Sequence, residues 1–221
     1  MKNSVAIENF IKAIYNNKRH DIKDTKPGNI ASKLGISSAA ATDMAKKLDA
    51  KGLLNYKKYK ALELTKKGEA IALNVIRKHR LWEAFLHKTF NMSLHEIHRE
   101  AELLEHETSD FLTEKISEYL GHPKFDPHGD PIPNSKGEIT TKDNSISLLN
   151  AKENTEYIIS RLMSTDEEFF EFCAVNGIKY GNKIRVEKQF SSTQMTQILI
   201  KKNTIILNKD FSQIIYVNEN N

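Results

Sequence analysis

The chain contains few of the residues on which several classes of protein depend. Its 221 residues include a single cysteine, Cys173, and a single tryptophan, and no apolar run approaches the roughly 20 residues that a bilayer helix needs. One cysteine excludes an intramolecular disulfide framework and any cysteine-rich zinc site, so a bound metal would need nitrogen and oxygen ligands. Cys173 itself, within FFEFCAV, is predicted to be a core residue.

Several motifs are absent as well. The sequence has no Walker-type phosphate loop, no G-x-S-x-G elbow and no dinucleotide fingerprint. Its first residues, MKNSVAIENFIKAIY, carry an acidic residue within an amphipathic period rather than the apolar core of a signal peptide. With 39% hydrophobic and 28% charged residues, the composition predicts a globular, cytoplasmic protein with no membrane partner.

The charges of the chain are segregated along its length. Residues 1–80 hold 18 Lys and Arg against 7 Asp and Glu, whereas residues 81–172 hold 8 against 19. The resulting charges of +11 and −11 nearly cancel, so the whole chain has a net charge of only +4. A basic amino-terminal third followed by an acidic middle predicts a polyanion-binding module joined to a cation-binding one.

The basic third has the pattern of a winged helix-turn-helix unit. Residues 5–16 have helical spacing, and Pro27 can begin a second helix that ends at Gly35, a residue tolerant of positive φ. Ser37 or Ser38 can cap a third helix that runs to about Lys51. The next segment, LLNYKKYKALELT, alternates in polarity and predicts a hairpin wing with a lysine-rich tip.

A winged unit of this kind predicts contacts with double-stranded DNA. The alternative is a helical core with a solvated lysine surface, but the third helix, the wing and the charge of +11 together favour DNA binding. Side chains at the start of the third helix are short, so direct base readout is expected to be modest. The predicted DNA contacts are Ser37, Ser38, Ala39, Thr42, Asp43 and Lys47 in the helix and Lys57, Lys58 and Lys60 in the wing.

Five of the eight histidines lie within residues 79–106, at the junction of the basic third and the acidic middle. His79 and Glu83 are four residues apart, which places them on one side of a helix. A second set, spaced for a single helical face, is His98, Glu102, Glu105 and His106. Imidazole and carboxylate together suit divalent Mn, Fe, Zn, Co or Ni. The alternative is a solvated polar face, but an apolar stripe from Leu94 to Phe111 indicates that this face borders packed structure.

The remaining residues change in composition and period. Helices are predicted through Phe90, from about Ser93 to Glu107, and then to about Leu120, and their surplus apolar surface predicts a dimer interface. A proline-rich loop follows, and residues 134–146 have the composition of a linker. Five short β-type runs after residue 147, with one helix among them, predict a small five-stranded barrel.

Five stretches carry a resemblance to a known family: ENFIKAIY, IASKLGISSAAATDMAKKLDAKGLL, RKHRLWEAFL, HEIHREAELLEH and GHPKFDPHGDPIP. Through them the chain resembles the diphtheria-toxin-repressor family of metal-dependent transcriptional regulators over nearly its whole length. The resemblance implies a mainly α fold with a small β domain. Its parts would be a winged helix-turn-helix domain over residues 1–73, a helical dimerisation and metal-binding domain over 74–140 and an SH3-like barrel over 147–221.

The resemblance also implies two metal sites in each chain. One would use Glu102, Glu105 and His106 with a ligand from the first helix, at the position of Asn9, where iron-type members often have Met and manganese-type members Asp. The other would use the set His79, Glu83 and His98. Some relatives add loop ligands, which here match Asp126 and His128, and others add a barrel ligand, here Asp166 or Glu167. Lys12 stands where one manganese-type branch has a second carboxylate, which argues against that branch's paired two-metal cluster.

Two functions follow from these residues. The first is a regulator, expected to be a repressor, that binds operator DNA as a homodimer when loaded with Mn(II) or Fe(II) and controls metal-uptake genes. The second is a metalloenzyme or metal-storage helical protein that uses the same His and Glu cluster. The second would have no need for a basic winged helix, so the first is the hypothesis that we carry forward.

Overall fold

The structure, a computed structural model, describes residues 4–19, 25–141 and 143–220 of the chain. Two compact units are present. Unit 1 comprises Met1–His79, Leu103–Thr113 and Pro133–Ile139, and unit 2 comprises Arg80–Glu102, Glu114–Ile132 and Thr140–Asn221. Within the described residues, no helix is both long enough and apolar enough to cross a bilayer.

Unit 1 begins with three helices and a two-stranded hairpin. These elements are α1 (Val5–Arg19), α2 (Pro27–Leu34), α3 (Ser38–Ala50), β1 (Leu54–Asn55) and β2 (Glu63–Leu64). Pro27 is the first residue of α2, and Gly35 ends that helix with a φ of 64°. The Ser37 hydroxyl accepts a hydrogen bond from the Ala40 N–H at 3.1 Å and caps α3. The predicted winged helix-turn-helix is confirmed.

The core of unit 1 consists of apolar side chains that recur at helical spacing. Phe10, Ile11 and Ile14 of α1 are fully buried and belong to one cluster with Ile30 of α2 and Leu48 of α3. Full burial of one such side chain contributes roughly 1.5–3 kcal/mol. The periodicity that predicts these helices therefore also identifies the contacts that hold them together.

Three further helices follow: α4 (Lys66–Phe90), α5 (Leu94–Leu104) and α6 (Asp110–Leu120). The end of α5 lies three residues before the predicted end. The Leu104 carbonyl accepts hydrogen bonds from both the N–H and the hydroxyl of Thr108. The Ser109 hydroxyl then accepts from the Leu112 N–H and starts α6.

This early end changes the positions of two predicted ligands. Glu105 and His106 lie in the turn after α5 and not within the helix. The predicted helix is therefore shorter at its carboxy-terminal end, and only His98 and Glu102 of this set lie within it.

The carboxy-terminal part of unit 2 contains an antiparallel sheet and two further α-helices. They are β3 (Ile146–Ser147), β4 (Thr155–Leu162), α7 (Glu167–Asn176), β5 (Lys183–Phe190), β6 (Met195–Ile200), β7 (Asn203–Leu207), α8 (Lys209–Ile214) and β8 (Ile215–Glu219). The strand order is β3-β8-β4-β5-β6-β7. The sheet has six strands instead of the predicted five, because the added strand β3 has two residues and is too short to show an alternating pattern.

The core of unit 2 lies between the sheet and α7. Tyr157, Ile159, Val186 and Ile198 from the strands are at most 1% exposed and belong to one cluster with Phe169 of α7. Cys173 is buried in the same cluster, as predicted, and burial raises the pKa of its thiol to about 12. A thiol with such a pKa is a structural side chain and not a reactive one.

Candidate metal centre and DNA-binding surface

Glu105 is the centre of the His and Glu cluster in unit 1. Glu105 is 1% exposed, and its Oε2 lies 2.7 Å from Nδ1 of His79. Oε1 lies 3.2 Å from Nε2 of His106. Both oxygens also accept hydrogen bonds from the Lys12 ammonium, at 2.7 and 2.9 Å. The buried carboxylate thus has two imidazoles and one ammonium around it. The ammonium supplies the positive charge that a divalent ion would supply to a buried carboxylate.

The first helix brings a further polar group, Glu8, to this cluster and also carries Asn9. Nδ1 of His106 lies 2.7 Å from Oε2 of Glu8, one helical turn before Lys12. Oδ1 of Asn9 is enclosed by protein and accepts no hydrogen bond from any residue that the structure describes. An enclosed amide oxygen costs free energy unless it gains a partner. Asn9 therefore fits a role as an oxygen ligand, in agreement with the position that the family resemblance assigns to it.

Unit 2 contains a second cluster of imidazoles around one carboxylate. Oε1 of Glu83, which is buried, lies 3.1 Å from Nδ1 of His98 and 3.3 Å from Nε2 of His128. Nδ1 of His128 is enclosed and has no hydrogen-bond partner among the described residues. Two imidazoles and a carboxylate form a donor set that suits a divalent transition metal.

The loop between Gly121 and Pro133 brings His128 to this cluster. Oδ1 of Asp126 accepts hydrogen bonds from the N–H groups of His128 and Asp130, each at 2.9 Å, and shapes a tight turn. Within that turn Gly129 has a φ of 92°, and a β-carbon there would overlap the carbonyl oxygen of Ser160. The loop can therefore approach strand β4 this closely only with glycine at that position.

Burial and neighbouring charges shift two pKa values in this loop. Burial raises the pKa of Asp126 to about 8, and the carboxylates of Glu83 and Asp130 act in the same direction. Burial alone would lower the pKa of His128, but Glu83 and the two Asp residues outweigh it and raise that pKa. Arg80 lies 3.5 Å from Asp126 and 3.3 Å from Asp130 and offsets part of this negative charge.

Three other candidate ligands have different surroundings. Oε1 of Glu102 lies 4.0 Å from Nε2 of His98, one turn earlier on α5. The carboxylate of Asp166 accepts a hydrogen bond from the Phe169 N–H at 2.9 Å and caps α7. Glu167 is 3.6 Å from Nε2 of His95, a histidine that the sequence pattern did not include. Asp166 is therefore used as a helix cap, which is its ordinary structural role.

The predicted DNA-contacting residues lie on α3 and on the wing of unit 1. Ser37, Ser38, Ala39, Asp43 and Lys47 are exposed. Thr42 is half-buried, and its hydroxyl donates to the Ser38 carbonyl at 2.8 Å. The wing residues Lys57, Lys58 and Lys60 are exposed as well.

The wing tip has a defined shape. The Lys60 N–H donates to the Lys57 carbonyl at 3.0 Å and closes a turn between β1 and β2. Tyr59 has a φ of 66° and is 81% exposed, with the ammonium of Lys58 4.9 Å from its ring centroid. An exposed aromatic ring among three ammonium groups is well suited to a phosphate backbone and the adjacent sugars.

Several contacts were missed by the sequence reasoning. Glu8 and Lys12 are four residues apart on α1, a spacing that indicates a shared face, yet the sequence contains no sign that this face meets residues 105 and 106. The ion pairs of Arg161 with Asp130, at 3.7 Å, and Asp143, at 3.1 Å, were missed too. These pairs join segments far apart in the chain, and local periodicity carries no information about them.

A winged helix-turn-helix with a basic tip, together with clusters of imidazole and carboxylate, defines a metal-responsive DNA-binding protein. Three family models match the chain. They are Iron dependent repressor, N-terminal DNA binding domain, over residues 4–62; Iron dependent repressor, metal binding and dimerisation domain, over residues 65–134; and FeoA domain, over residues 146–219.

Individual relatives agree with these models. The diphtheria toxin repressor of Corynebacterium efficiens is 26% identical over 188 residues, which are 81% of each protein. The structure of a manganese-dependent transcriptional repressor in complex with manganese is 29% identical, with a TM-score of 0.89 over 96% of this chain and 99% of that one. ScaR with bound Cd²⁺ is 32% identical, with a TM-score of 0.81 over 96% and 99%. The chain belongs to the diphtheria-toxin-repressor family of metal-dependent transcriptional regulators, whose members are repressors and not enzymes.

Proposed function

We propose that the protein is a repressor of metal-uptake genes that binds operator DNA as a homodimer when it is loaded with Mn(II) or Fe(II), and that it acts in the cytoplasm. The observation that carries this proposal is the position of Glu105 and His106, two buried candidate ligands in direct contact with α1, the first helix of the DNA-binding unit. A metal at these residues would act on the element that must be positioned for DNA binding.

The donor atoms support two ions in each chain. We assign Glu105, His106 and Asn9 to one ion and Glu83, His98, His128 and Asp126 to the other, and all of these donors are oxygen or nitrogen. The family resemblance adds Glu102 and His79 as further candidate ligands. A bound divalent ion supplies two positive charges and a fixed coordination geometry, and the side chains supply the connection between the helices that carry them.

The proposed mechanism couples metal and DNA through α1. Two recognition helices of a dimer must match half-sites about 34 Å apart, one turn of the double helix. A metal ligand on α1, at Asn9, would restrict the unit that contains α3, so that metal binding and operator binding favour one another reciprocally. The proposal also includes the domain division predicted from the sequence, with boundaries near residues 73 and 140.

We favour Mn(II) slightly over Fe(II) as the activating ion. Iron-type members of the family carry a cysteine at the position of Glu102 and a methionine at the position of Asn9, so no sulfur remains in this donor set. Oxygen-rich sites lack the thiolate that gives softer ions an advantage, and they suit the octahedral preference of Mn. Zn can still bind more tightly, as the Irving–Williams order requires, and yet activate less because it prefers tetrahedral geometry.

The experiment measures activation and not affinity. Operator binding is followed by anaerobic fluorescence anisotropy with Mn, Fe, Co, Ni or Zn and with chelator, for the wild type, Glu102→Cys and the matched control Glu107→Cys, an exposed residue in the turn after α5. We expect Mn and Fe to activate the wild type and the control. Glu102→Cys should lose the Mn response and retain the response to Fe, Co or Ni.

Two results would contradict this proposal. Equal operator binding in chelator and in Mn would exclude metal as the activator. An unchanged Mn response of Glu102→Cys would remove Glu102 from the proposed site. The rival function, a metalloenzyme or metal-storage protein, predicts no metal-dependent operator binding at all, and membership of a repressor family argues against it.

A further inference from the structure

The ammonium of Lys12 lies where a cation is needed in unit 1. Its Nζ is 2.7 Å from Oε1 and 2.9 Å from Oε2 of Glu105, so that it bridges both oxygens of the carboxylate. The Lys12 side chain is 12% exposed and that of Glu105 is fully buried. A short, bridging and largely buried contact of this kind is much stronger than a surface ion pair.

The other polar groups around Glu105 compensate most of the remaining negative charge of its carboxylate. His79 approaches Oε2 at 2.7 Å, and His106 approaches Oε1 at 3.2 Å. A carboxylate offers about four lone-pair sites. With an ammonium across both oxygens and an imidazole at each, a divalent ion can reach Glu105 only if one of these groups moves.

Lys12 is the group that must move. An imidazole can become a ligand of the incoming ion, whereas an ammonium has no lone pair and repels it. The four-carbon stem of lysine is flexible, so Nζ can leave Glu105 without a change in the backbone of α1. Metal binding at Glu105 and the Lys12 contact are therefore mutually exclusive or strongly opposed.

We propose that Lys12 is a built-in competitor of the metal, which occupies Glu105 in the metal-free protein and sets the metal concentration at which the site fills. The inference rests on the proposed assignment of Glu105 and His106 as ligands. It adds that the threshold of the sensor is set by a residue of α1, in the DNA-binding unit, that is not itself a ligand. Lys12 would thus weaken metal affinity while it keeps α1 in contact with Glu105 before metal arrives.

The same helix strengthens the metal-free contact through a second pair of opposite polarity. Glu8 lies one turn before Lys12 and is 2.7 Å from Nδ1 of His106. The two pairs have opposite polarity: in one, a cation of α1 contacts Glu105, and in the other, a carboxylate of α1 contacts His106. Removal of Lys12 leaves Glu8 and the hydrophobic core to hold α1, so a folded variant is expected.

The test compares Mn(II) affinity in variants of the full chain by competition with a chelating indicator. Lys12→Met removes the charge and keeps the length of the side chain. Lys18→Met is the matched control on the same helix, because Lys18 is 61% exposed and pairs loosely with Glu69 at 3.7 Å. Lys12→Gln is a second neutral variant that can still donate a hydrogen bond to Glu105, and it is used if the methionine variant does not fold.

We expect the neutral Lys12 variants to bind Mn(II) more tightly by about 5- to 150-fold, the usual range of coupling between two ligands. Lys18→Met should bind as the wild type does. A second readout is the thermal shift: metal-free Lys12→Met should melt below the metal-free wild type, and Mn should raise its melting temperature by more. Adding Glu105→Gln to Lys12→Met should abolish the gain in affinity.

The outcomes separate this inference from the proposed function. If Glu105→Gln alone leaves Mn binding intact, Glu105 is not a ligand and both proposals are overturned. If Glu105→Gln weakens Mn binding but neutral Lys12 variants bind no more tightly than the wild type, the metal site stands and the role of Lys12 as a competitor is overturned.

Discussion

Oε1 of Glu83 lies within 3.3 Å of two imidazole nitrogens, Nδ1 of His98 and Nε2 of His128. One oxygen thus links a helix, α5, to a loop that is 30 residues further along the chain. The carboxylate oxygen is hydrogen-bonded to His98 and lies at ion-pair distance from His128, so protons on these rings favour the arrangement without metal. A metal that binds here must displace those protons.

Metal binding at Glu83 and His128 should therefore release protons near neutral pH. Burial raises the pKa of Asp126 to about 8, and the carboxylates of Glu83 and two Asp residues raise the pKa of His128, so each group keeps its proton to a higher pH than usual and must lose it to bind metal. Affinity should increase as the pH rises from about 6 to 8. The measurement is Mn titration calorimetry in two buffers with different ionisation enthalpies.

A matched variant assigns this proton release to the cluster. His122→Asn alters a histidine with a φ of 56°, a conformation that asparagine tolerates, and should leave the proton release unchanged. Asp126→Asn should reduce the proton release and flatten the pH dependence. Metal affinity that is independent of pH in the wild type would show that neither residue is a ligand.

The wing lysines should contribute through phosphates. Replacing Lys57, Lys58 or Lys60 by Ala is expected to weaken binding to all duplexes by similar factors, because contacts to phosphate do not depend on sequence. Each lost contact should reduce the slope of log K against log salt by about 0.9. The control is Lys152→Ala, whose ammonium lies 3.6 Å from Glu219 in unit 2. A slope that does not change would exclude the wing from the interface.

The protein should be dimeric without metal. Large apolar side chains are exposed in both units, with Phe111 at 74% and Leu103 at 68% in unit 1 and Phe90 at 63% in unit 2. Exposed apolar area of this kind favours burial against a second copy whether or not metal is present. Sedimentation of the chelated protein at micromolar concentration measures this.

Charge substitutions show where such an interface lies. Phe111→Glu should shift the chelated protein toward monomer, because it places a carboxylate in apolar contact. Val175→Glu is the control, since Val175 is 86% exposed on α7 in the carboxy-terminal sheet unit and should leave the dimer intact. A wild type that sediments as a monomer in chelator would move dimerisation to the metal-dependent step.

Two glycines should respond in opposite directions to alanine. A β-carbon on Gly68 would overlap the backbone carbonyl of Leu53, so Gly68→Ala should destabilise the protein by roughly 1–3 kcal/mol. Gly28 lies in α2 with nothing within 4 Å of its would-be β-carbon, so Gly28→Ala should stabilise by about 0.5–1 kcal/mol. Urea unfolding followed by helical circular dichroism measures both changes. Equal effects of the two variants would show that α4 does not approach Leu53 closely.

Local features of the fold were predictable because they depend on residues close together in the chain. Pro27, Gly35 and Ser37 set the limits of α2 and α3 through backbone preferences and one short hydrogen bond. The apolar period of α1 and the alternation of the later strands identified the buried faces. The two-residue strand β3 was missed, since a strand this short is defined by its partner Val217 and not by its own pattern.

The metal cluster shows the division between sequence and tertiary structure. Residue types and spacing alone predicted that His79, Glu83, His98, Glu105 and His106 gather within residues 79–106, next to a basic winged unit. Only the tertiary structure decided that Lys12 bridges Glu105, 93 positions away in the chain, and that His106 contacts Glu8. The physical reason is range: helix periodicity orders neighbours within a few turns, whereas the partner of a buried charge is selected by the packing of whole elements.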